Sequence, residues 1–352
     1  MSSIRKRWNY FLDGPCLPWN QNRIIVAGNG TTGDDDSISM LNEPWDLSID
    51  SNFNLYISDT TNSRIIMFPS GSLVGIPLTS GSGSNLSQVV HPRGSVIDTY
   101  GNLYVADAGN YRIMKYANIT SASQSPPIIG EVVVNADFGT GYDKMGNDAD
   151  VAVDSLGNIF VSDSNHRVLK WAPGATNGTL VAGRGDGYWG DGADELRNPI
   201  AIYVDQNMTL YIADSDNNRI QKWISGSSEG TTVGQLYHPT DVVVDSNGTI
   251  YAWSSAKLYR FYPGSTSGTI VISSYTARSY GFKFDSVGNV YVATYWDNTI
   301  DKYTVNNASC STYMPHYELY SAKANIYLIF LSQVVEWQQF HKCHQKLFQR
   351  QV

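Results

Sequence analysis

The chain has 352 residues and carries 24 Lys and Arg against 32 Asp and Glu, a formal charge of −8 at pH 7. Only 16% of its residues are charged, so the surface depends on Ser, Thr, Asn, Gly and Tyr and gives nucleic-acid phosphates little to bind. Its three cysteines, Cys16, Cys310 and Cys343, form no CxxC pair, which leaves zinc-finger, RING and thioredoxin readings without support.

Residues 1–21 read as an N-terminal extension, basic but without an apolar core long enough for a signal peptide. A first strand follows at Arg23-Ile24-Ile25-Val26-Ala27-Gly28. From Trp45 onward one unit recurs six times: an apolar strand ending in Asp, a Gly-Asn type turn, then a second apolar strand of the form LYVAD. The turn aspartates are Asp50, Asp98, Asp154, Asp205, Asp245 and Asp285, spaced 48, 56, 51, 40 and 40 residues apart. Each unit alternates apolar and polar positions, as at Val151, Val153, Ile159 and Val161, and that period of two argues for strands and against helices. Gly101-Asn102, Gly157-Asn158 and Gly288-Asn289 supply the positive φ that a tight hairpin needs. A period in the forties with three strong strands per unit is the length of one four-stranded propeller blade.

A further strand ending in glycine precedes the fourth unit at Thr179-Leu180-Val181-Ala182-Gly183. The first strand of the chain matches it, and nothing equivalent follows Tyr303. The N-terminal strand is therefore expected to complete the last blade and remove the open sheet edges.

The second hairpin of each unit carries a D-x-x-N-x-R-I signature: Asp59/Asn62/Arg64, Asp107/Asn110/Arg112, Asp163/Asn165/Arg167 (one residue shorter) and Asp214/Asn217/Arg219. On these residues the segment 22–304 resembles the NHL-repeat family of β-propellers. The fifth and sixth units depart from it, with Trp253 and Thr294 read at the aspartate's place and Tyr259-Arg260 and Thr299 where the arginine belongs. The pair is read as structural, an Asp accepting hydrogen bonds at the hairpin with the Arg held beside it. The resemblance implies an all-β, six-bladed propeller. It also brings three functional classes into view: binding platforms, substrate receptors of ubiquitin ligases, and, in the wider six-bladed group, the peptidyl-amidating lyase and calcium-dependent lactonases. RNA-binding members have a basic face, from which this chain departs by the sign of its charge.

Beyond the repeats, 305–352 is a tail, helical or disordered, whose apolar run at 326–331 falls short of the roughly 20 residues of a membrane-spanning helix. Seven N-x-S/T sequons in so Asn-, Ser- and Thr-rich a chain leave the compartment open between cytoplasmic and extracellular.

Several candidate sites can be weighed. Gly28, Gly30 and Gly33 spell GxGxxG, but Asp34, Asp35 and Asp36 follow where pyrophosphate would sit, so the dinucleotide reading is rejected. Arg184-Gly185-Asp186 is the adhesion tripeptide, in a loop whose glycines the repeat itself explains. His91 and His238 each precede a proline at equivalent loop positions, where Glu43 and Asn198 stand in other units, and no third histidine joins them as a zinc ligand. One aromatic per unit, Phe68, Tyr116, Trp171, Trp223, Tyr262 and Tyr303, ends the third strand and is assigned to packing between blades.

Four residues before each turn aspartate the chain reads Asp46, Gly94, Asp150, Ala201, Asp241 and Gly281. Carboxylates alternating with small residues on the channel-lining strands would repel one another, and a hard cation such as Ca2+ bound by Asp46, Asp150 and Asp241 would resolve that. Beside these positions Trp45, Arg93, Ile200, Thr240 and Tyr280 differ from blade to blade, as a recognition face does. With Tyr188 and Trp189 in the loop before the fourth unit, they are the expected anchors for a protein, peptide or glycan ligand. The expectation is a monomeric, non-catalytic binding scaffold without a transmembrane helix. Its alternatives are a metal-dependent lyase or hydrolase with a cation in the central channel, and the substrate receptor of a ubiquitin ligase.

Overall fold

The computed structural model describes residues 19–32, 37–120, 125–147, 150–274 and 279–306. The cysteines, Gly33 to Asp36, and the expected tail from residue 307 lie outside these residues.

The chain first lays down strand β1 (Ile24–Ala27). Blade 1 follows as β2 to β5 (Pro44–Ile49, Leu55–Asp59, Arg64–Phe68, Ile76–Pro77), and blade 2 as β6 to β9 (Pro92–Ile97, Leu103–Asp107, Arg112–Tyr116, Glu131–Asn135). After a short parallel pair, β10 and β11 (Asp137–Phe138, Lys144–Met145), blade 3 is β12 to β15 (Asp150–Val153, Ile159–Asp163, Arg167–Trp171, Thr179–Gly183). Blade 4 is β16 to β19 (Pro199–Val204, Leu210–Asp214, Arg219–Trp223, Thr231–Gln235), and blade 5 is β20 to β23 (Asp241–Val244, Ile250–Ser254, Lys257–Phe261, Thr269–Ser273). Blade 6 contributes only β24 to β26 (Ser279–Phe284, Val290–Thr294, Thr299–Tyr303) and receives β1 as its fourth strand, antiparallel to β26 with Ile24 opposite Lys302. The expected closure is thus observed in a six-bladed propeller. Ahead of β1, Trp19 is buried against Tyr251 and Phe284, and its indole N–H donates to the Gly288 carbonyl at 2.7 Å. Among the described residues no helix is long and apolar enough to cross a membrane.

Two repeated devices hold the blades. In all six, the turn aspartate accepts backbone N–H groups two and four residues ahead on one carboxylate oxygen, as Asp98 Oδ1 does from Tyr100 and Asn102 at 2.8 and 2.9 Å. This local bond competes successfully with the ladder and turns the chain. In blades 1 to 4 the signature arginine donates Nε to the signature aspartate, for example Arg112 to Asp107 at 2.7 Å, and its other nitrogens cap carbonyls of the preceding loop. Both partners are buried in blades 1 to 3, and in blade 4 Asp214 is buried while Arg219 is partly exposed, so one ion pair ties each hairpin to its incoming loop.

The ladder corrects three of the sequence assignments. Asp59 lies opposite Arg64, and the same register in blade 5 pairs Ser254 with Lys257, so Ser254 rather than Trp253 stands at the aspartate's place and Lys257 rather than Tyr259-Arg260 at the arginine's. In blade 6 Thr294 faces Thr299, with their hydroxyls 2.7 Å apart, a neutral pair in place of an ionic one. The packing aromatic of blade 5 is Phe261, fully buried, rather than the more exposed Tyr262. Trp253 and Tyr262 fit a four-residue hairpin like that of blade 1, whereas blade 5 turns on Ser255 and Ala256 alone, so one position moves forward by a residue and the other back by a residue. Six apolar clusters fill the molecule, one in each seam between adjacent blades.

Candidate functional site in the central channel

The alternation of Asp with small residues has a steric and a polar cause. Each carboxylate on an odd blade accepts a backbone N–H from the next blade: Asp46 from Ser95 at 2.9 Å, Asp150 from Ile202 at 2.8 Å, Asp241 from Phe282 at 2.7 Å. Each donor directly follows the small residue of an even blade, Gly94, Ala201 or Gly281. Asp150 also lies against Gly94 of the preceding blade, and Asp46 against Gly281: a Cβ built on either glycine falls 2.1 Å from the carboxylate. The carboxylates therefore bridge neighbouring blades around the hub, and alternate positions must stay small to admit them.

At their centre lies a residue that sequence reasoning passed over. Lys283, on β24, extends its ammonium to Asp46 Oδ1 at 2.9 Å and Asp241 Oδ2 at 3.4 Å. Burial works against its charge, but Asp241, Asp46 and Asp150 outweigh that and hold Lys283 protonated far above its ordinary range. Burial in turn pushes Asp150 well up, with repulsion from Asp46 adding to it and Lys283 only partly offsetting it. Asp241 is pushed up to about 6, again by burial first, against the pull of Lys283. The signal was available: two residues before the turn aspartate the blades read Ser48, Val96, Ala152, Tyr203, Val243 and Lys283, a lone cation at a channel position.

Asp150, Asp241 and Lys283 line a cavity of about 530 Å³ that runs along the inner strands to Gln206, Asp245 and Ser246 at the turns. Its walls are mostly apolar, from Ile97, Val153, Val204 and Phe284 among others. Such a hollow suits a compact small molecule met at one end by a polar, titratable cluster.

The expected Ca2+ does not fit this set. All six carboxylate oxygens already accept a hydrogen bond, four from the backbone amides of Ser95, Val151, Ile202 and Val242, one from Lys283, and one shared between the Phe282 amide and Lys283. The repulsion that called for a metal is met by the chain's own ammonium. Among the described residues no group of three or more His, Cys, Asp or Glu side chains is arranged to hold a metal ion.

The predicted recognition residues fall into separate places. Trp45 and Tyr280 stack face to face with ring centres 3.8 Å apart and planes 3° from parallel, and the Arg93 guanidinium covers the other side of Trp45 at 4.2 Å. Tyr295 packs edge-on to both rings and donates its hydroxyl to Glu43 at 2.7 Å. Burial lowers the Arg93 pKa from its usual value. Both faces of Trp45 are thus occupied from within the chain. Ile200 and Thr240 are buried. Tyr188 and Trp189 are exposed in the loop before blade 4, with Arg197 over the Trp189 ring at 4.3 Å.

Arg184 and Asp186 bond each other at 3.0 Å, and Arg184 also reaches Glu195 at 3.0 Å, which leaves the adhesion tripeptide paired internally. Glu43, His91, Asn198 and His238 all take positive φ, 53, 46, 53 and 44°, so that position is a backbone bend shared by four blades. His238 Nδ1 lies 3.0 Å from the buried Ser215 hydroxyl.

No protein-family model and no curated protein sequence matches the chain. Solved structures do. A gluconolactonase from Xanthomonas campestris superimposes with a TM-score of 0.60 at 12% identity, covering 83% of this chain and 98% of that one. A streptogramin B lyase gives 0.53 at 12%, covering 82% and 98%. The PQQ-bound aldose sugar dehydrogenase of Streptomyces coelicolor gives 0.58 at 12%, covering 83% and 100%. The fold is a six-bladed β-propeller. These similar structures are of enzymes, which overturns the expectation of a non-catalytic scaffold drawn from the repeat signature: that signature serves the turns and is silent about the hub.

Proposed function

We propose that this chain is a catalytic propeller, a hydrolase or lyase that takes a compact cyclic ester or similar small molecule into its central channel. The observation that carries the reading is the cavity whose polar end is built from Lys283, Asp150 and Asp241. Lys283 is a fixed cation able to stabilise negative charge developing on a substrate oxygen, the role usually filled by a preorganised donor. Asp241, pushed up to about 6, is poised to move a proton near neutrality, which is what general acid or base catalysis requires. Asp46 holds the Lys283 ammonium in place. The turn signature supports an NHL-type assignment of the repeats, and the fold shared with a gluconolactonase and a streptogramin B lyase supports ring-opening chemistry.

The test is hydrolysis of glucono-δ-lactone and ring opening of a streptogramin B, followed with wild type and the Asp241→Asn and Lys283→Met variants. Turnover that falls at least about 100-fold in both variants, as loss of a positioned acid-base group or oxyanion donor does, supports the assignment. Equal turnover in all three places the chemistry elsewhere.

A further inference from the structure

Between the polar cluster and the mouth of the cavity stands a complete apolar ring. One residue before the turn aspartate the six blades read Ile49, Ile97, Val153, Val204, Val244 and Phe284, and all six line the cavity. We infer that the substrate carries an apolar chain that lies in this ring while its reacting group sits at the hub, so that the channel takes an alkyl-substituted lactone or ester and rejects a polyhydroxylated sugar lactone. The inference rests on the channel being the substrate site proposed above, and adds the chemistry of what enters it.

The direction of entry comes first. The cavity lining of blade 5 is unbroken from Asp241 to Ser246, and Ser246 and the equivalent Gln206 of blade 4 are exposed. Beyond the carboxylates, at the other end, Trp45, Tyr280 and Arg93 are stacked on one another, and none of the three lines the cavity. A molecule using this cavity therefore enters from the turn face and passes the ring before it meets Lys283. The rim lies three residues beyond the level of Lys283, about 10 Å of strand at about 3.3 Å each, which takes a short chain lengthwise.

The ring suits hydrocarbon. Ile49, Ile97, Val153, Val204 and Phe284 keep part of their surface open, and Val244 is buried. None of these side chains offers a hydrogen-bonding atom, and in the layer above them the Ser48 hydroxyl is already paired with that of Ser95 at 3.4 Å. A substrate hydroxyl placed in the ring loses its water with no side chain to replace it, whereas a methylene placed there gains by leaving water. The layer of Lys283 also holds Tyr203, whose phenol burial keeps protonated. Hydrogen-bond donors thus stand at the inner end, where an ester oxygen would lie, and hydrocarbon stands between them and the rim.

Binding is read first, without chemistry, by calorimetry of wild type with δ-valerolactam bearing no chain, propyl, pentyl or heptyl, since a lactam resists hydrolysis. Affinity is expected to rise about 4-fold per methylene, the gain of burying one, and to level off once the chain passes the rim. The matching δ-lactones should rise in kcat/KM in the same order, with the pentyl lactone at least about 100-fold above glucono-δ-lactone. Val153→Thr/Val204→Thr keeps the shape of the ring and adds two hydroxyls, and should cut the gain per methylene to less than about half that of wild type. If that variant fails to fold, the wild-type series decides alone. Lactam affinity that tracks chain length with no lactone turned over upholds the apolar-chain site and refutes the proposed catalysis. A gain below about 2-fold per methylene in wild type, a preference for glucono-δ-lactone, a folded variant that keeps the full gain, or lactams that bind at no chain length would overturn the inference, and the catalysis survives these results wherever lactones are still opened.

Discussion

Replacing Arg112 by Thr tests how the blades are held. Arg112 is buried, donates Nε to the fully buried Asp107 at 2.7 Å, and caps the carbonyls of Ser84, Asn85 and Gln88 at 2.7, 3.1 and 3.0 Å. Its loss leaves a buried carboxylate already pushed up by burial and now without its cation. Removing one partner of such a pair costs about 3–5 kcal/mol, or about 10 °C of melting temperature for a domain of this size. The same molecule supplies the comparison, because blade 6 has Thr294 and Thr299 at the equivalent positions, hydroxyl to hydroxyl at 2.7 Å. The double variant Asp107→Thr/Arg112→Thr removes the orphaned charge. It should therefore recover about 1–2 kcal/mol relative to Arg112→Thr, while staying below wild type because the Val90 amide and the loop carbonyls lose their partners. Calorimetric melting of the three proteins decides it. If Arg112→Thr costs less than about 1 kcal/mol, or the double variant is no better than the single, the buried pair is not what fastens the hairpin.

Other outcomes follow from the hub and the turns. Gly94→Ala drives a Cβ to 2.1 Å from Asp150 Oδ1 and 2.6 Å from its Cα; it should cost roughly 3 kcal/mol by overpacking, whereas Ala201→Gly at the equivalent position should cost about 1 at most, both read from denaturant midpoints. Asp241 has a folded pKa raised to about 6, so its stabilising contribution is complete below the ordinary carboxylate range and is lost as pH rises through 6. The melting difference between wild type and Asp241→Asn should accordingly shift toward wild type by about 1.4 kcal/mol, or about 3 °C, on going from pH 7.5 to 5, and a flat difference would contradict the assignment. In the blade 5 hairpin Ser255 and Ala256 both take positive φ, 48 and 61°. Ser255→Asn/Ala256→Gly should raise the midpoint by the equivalent of ~0.5–1 kcal/mol in a thermal melt.

The ring was legible in the sequence because its causes are local and repeated. The turn aspartates, the Gly-Asn pairs and the Asp–Arg hairpins each act within a few residues, so six copies reinforce one reading, and the match of Ala27-Gly28 to Ala182-Gly183 gave the closure. Where the repeat weakens, position is lost: Trp253 competes with Ser254 and Tyr262 with Phe261, because nothing local marks a two-residue hairpin of Ser and Ala. The hub was half legible. The alternation at Asp46, Asp150 and Asp241 stood out, but its counter-ion comes from a single blade and has no copies, and periodic reasoning discards a single Lys283 among Ser, Val, Ala and Tyr. Likewise Trp45, Arg93 and Tyr280 were recognisable as variable neighbours, while their stacking on one another depends on distances across three blades.

Blade 6 is the only sheet among the described residues that joins the first and last strands of the propeller, with Ile24–Ala27 laid against Thr299–Tyr303. During synthesis, then, β1 emerges first and waits through five complete blades before its partner exists. Ile24 and Ile25, still 51% and 41% exposed in the finished ring, form part of an unpaired edge for all that time. An apolar edge held open during translation is a point where a neighbouring nascent chain can pair instead. The same seam that seals the mature wheel thus makes its assembly the step most exposed to crowding.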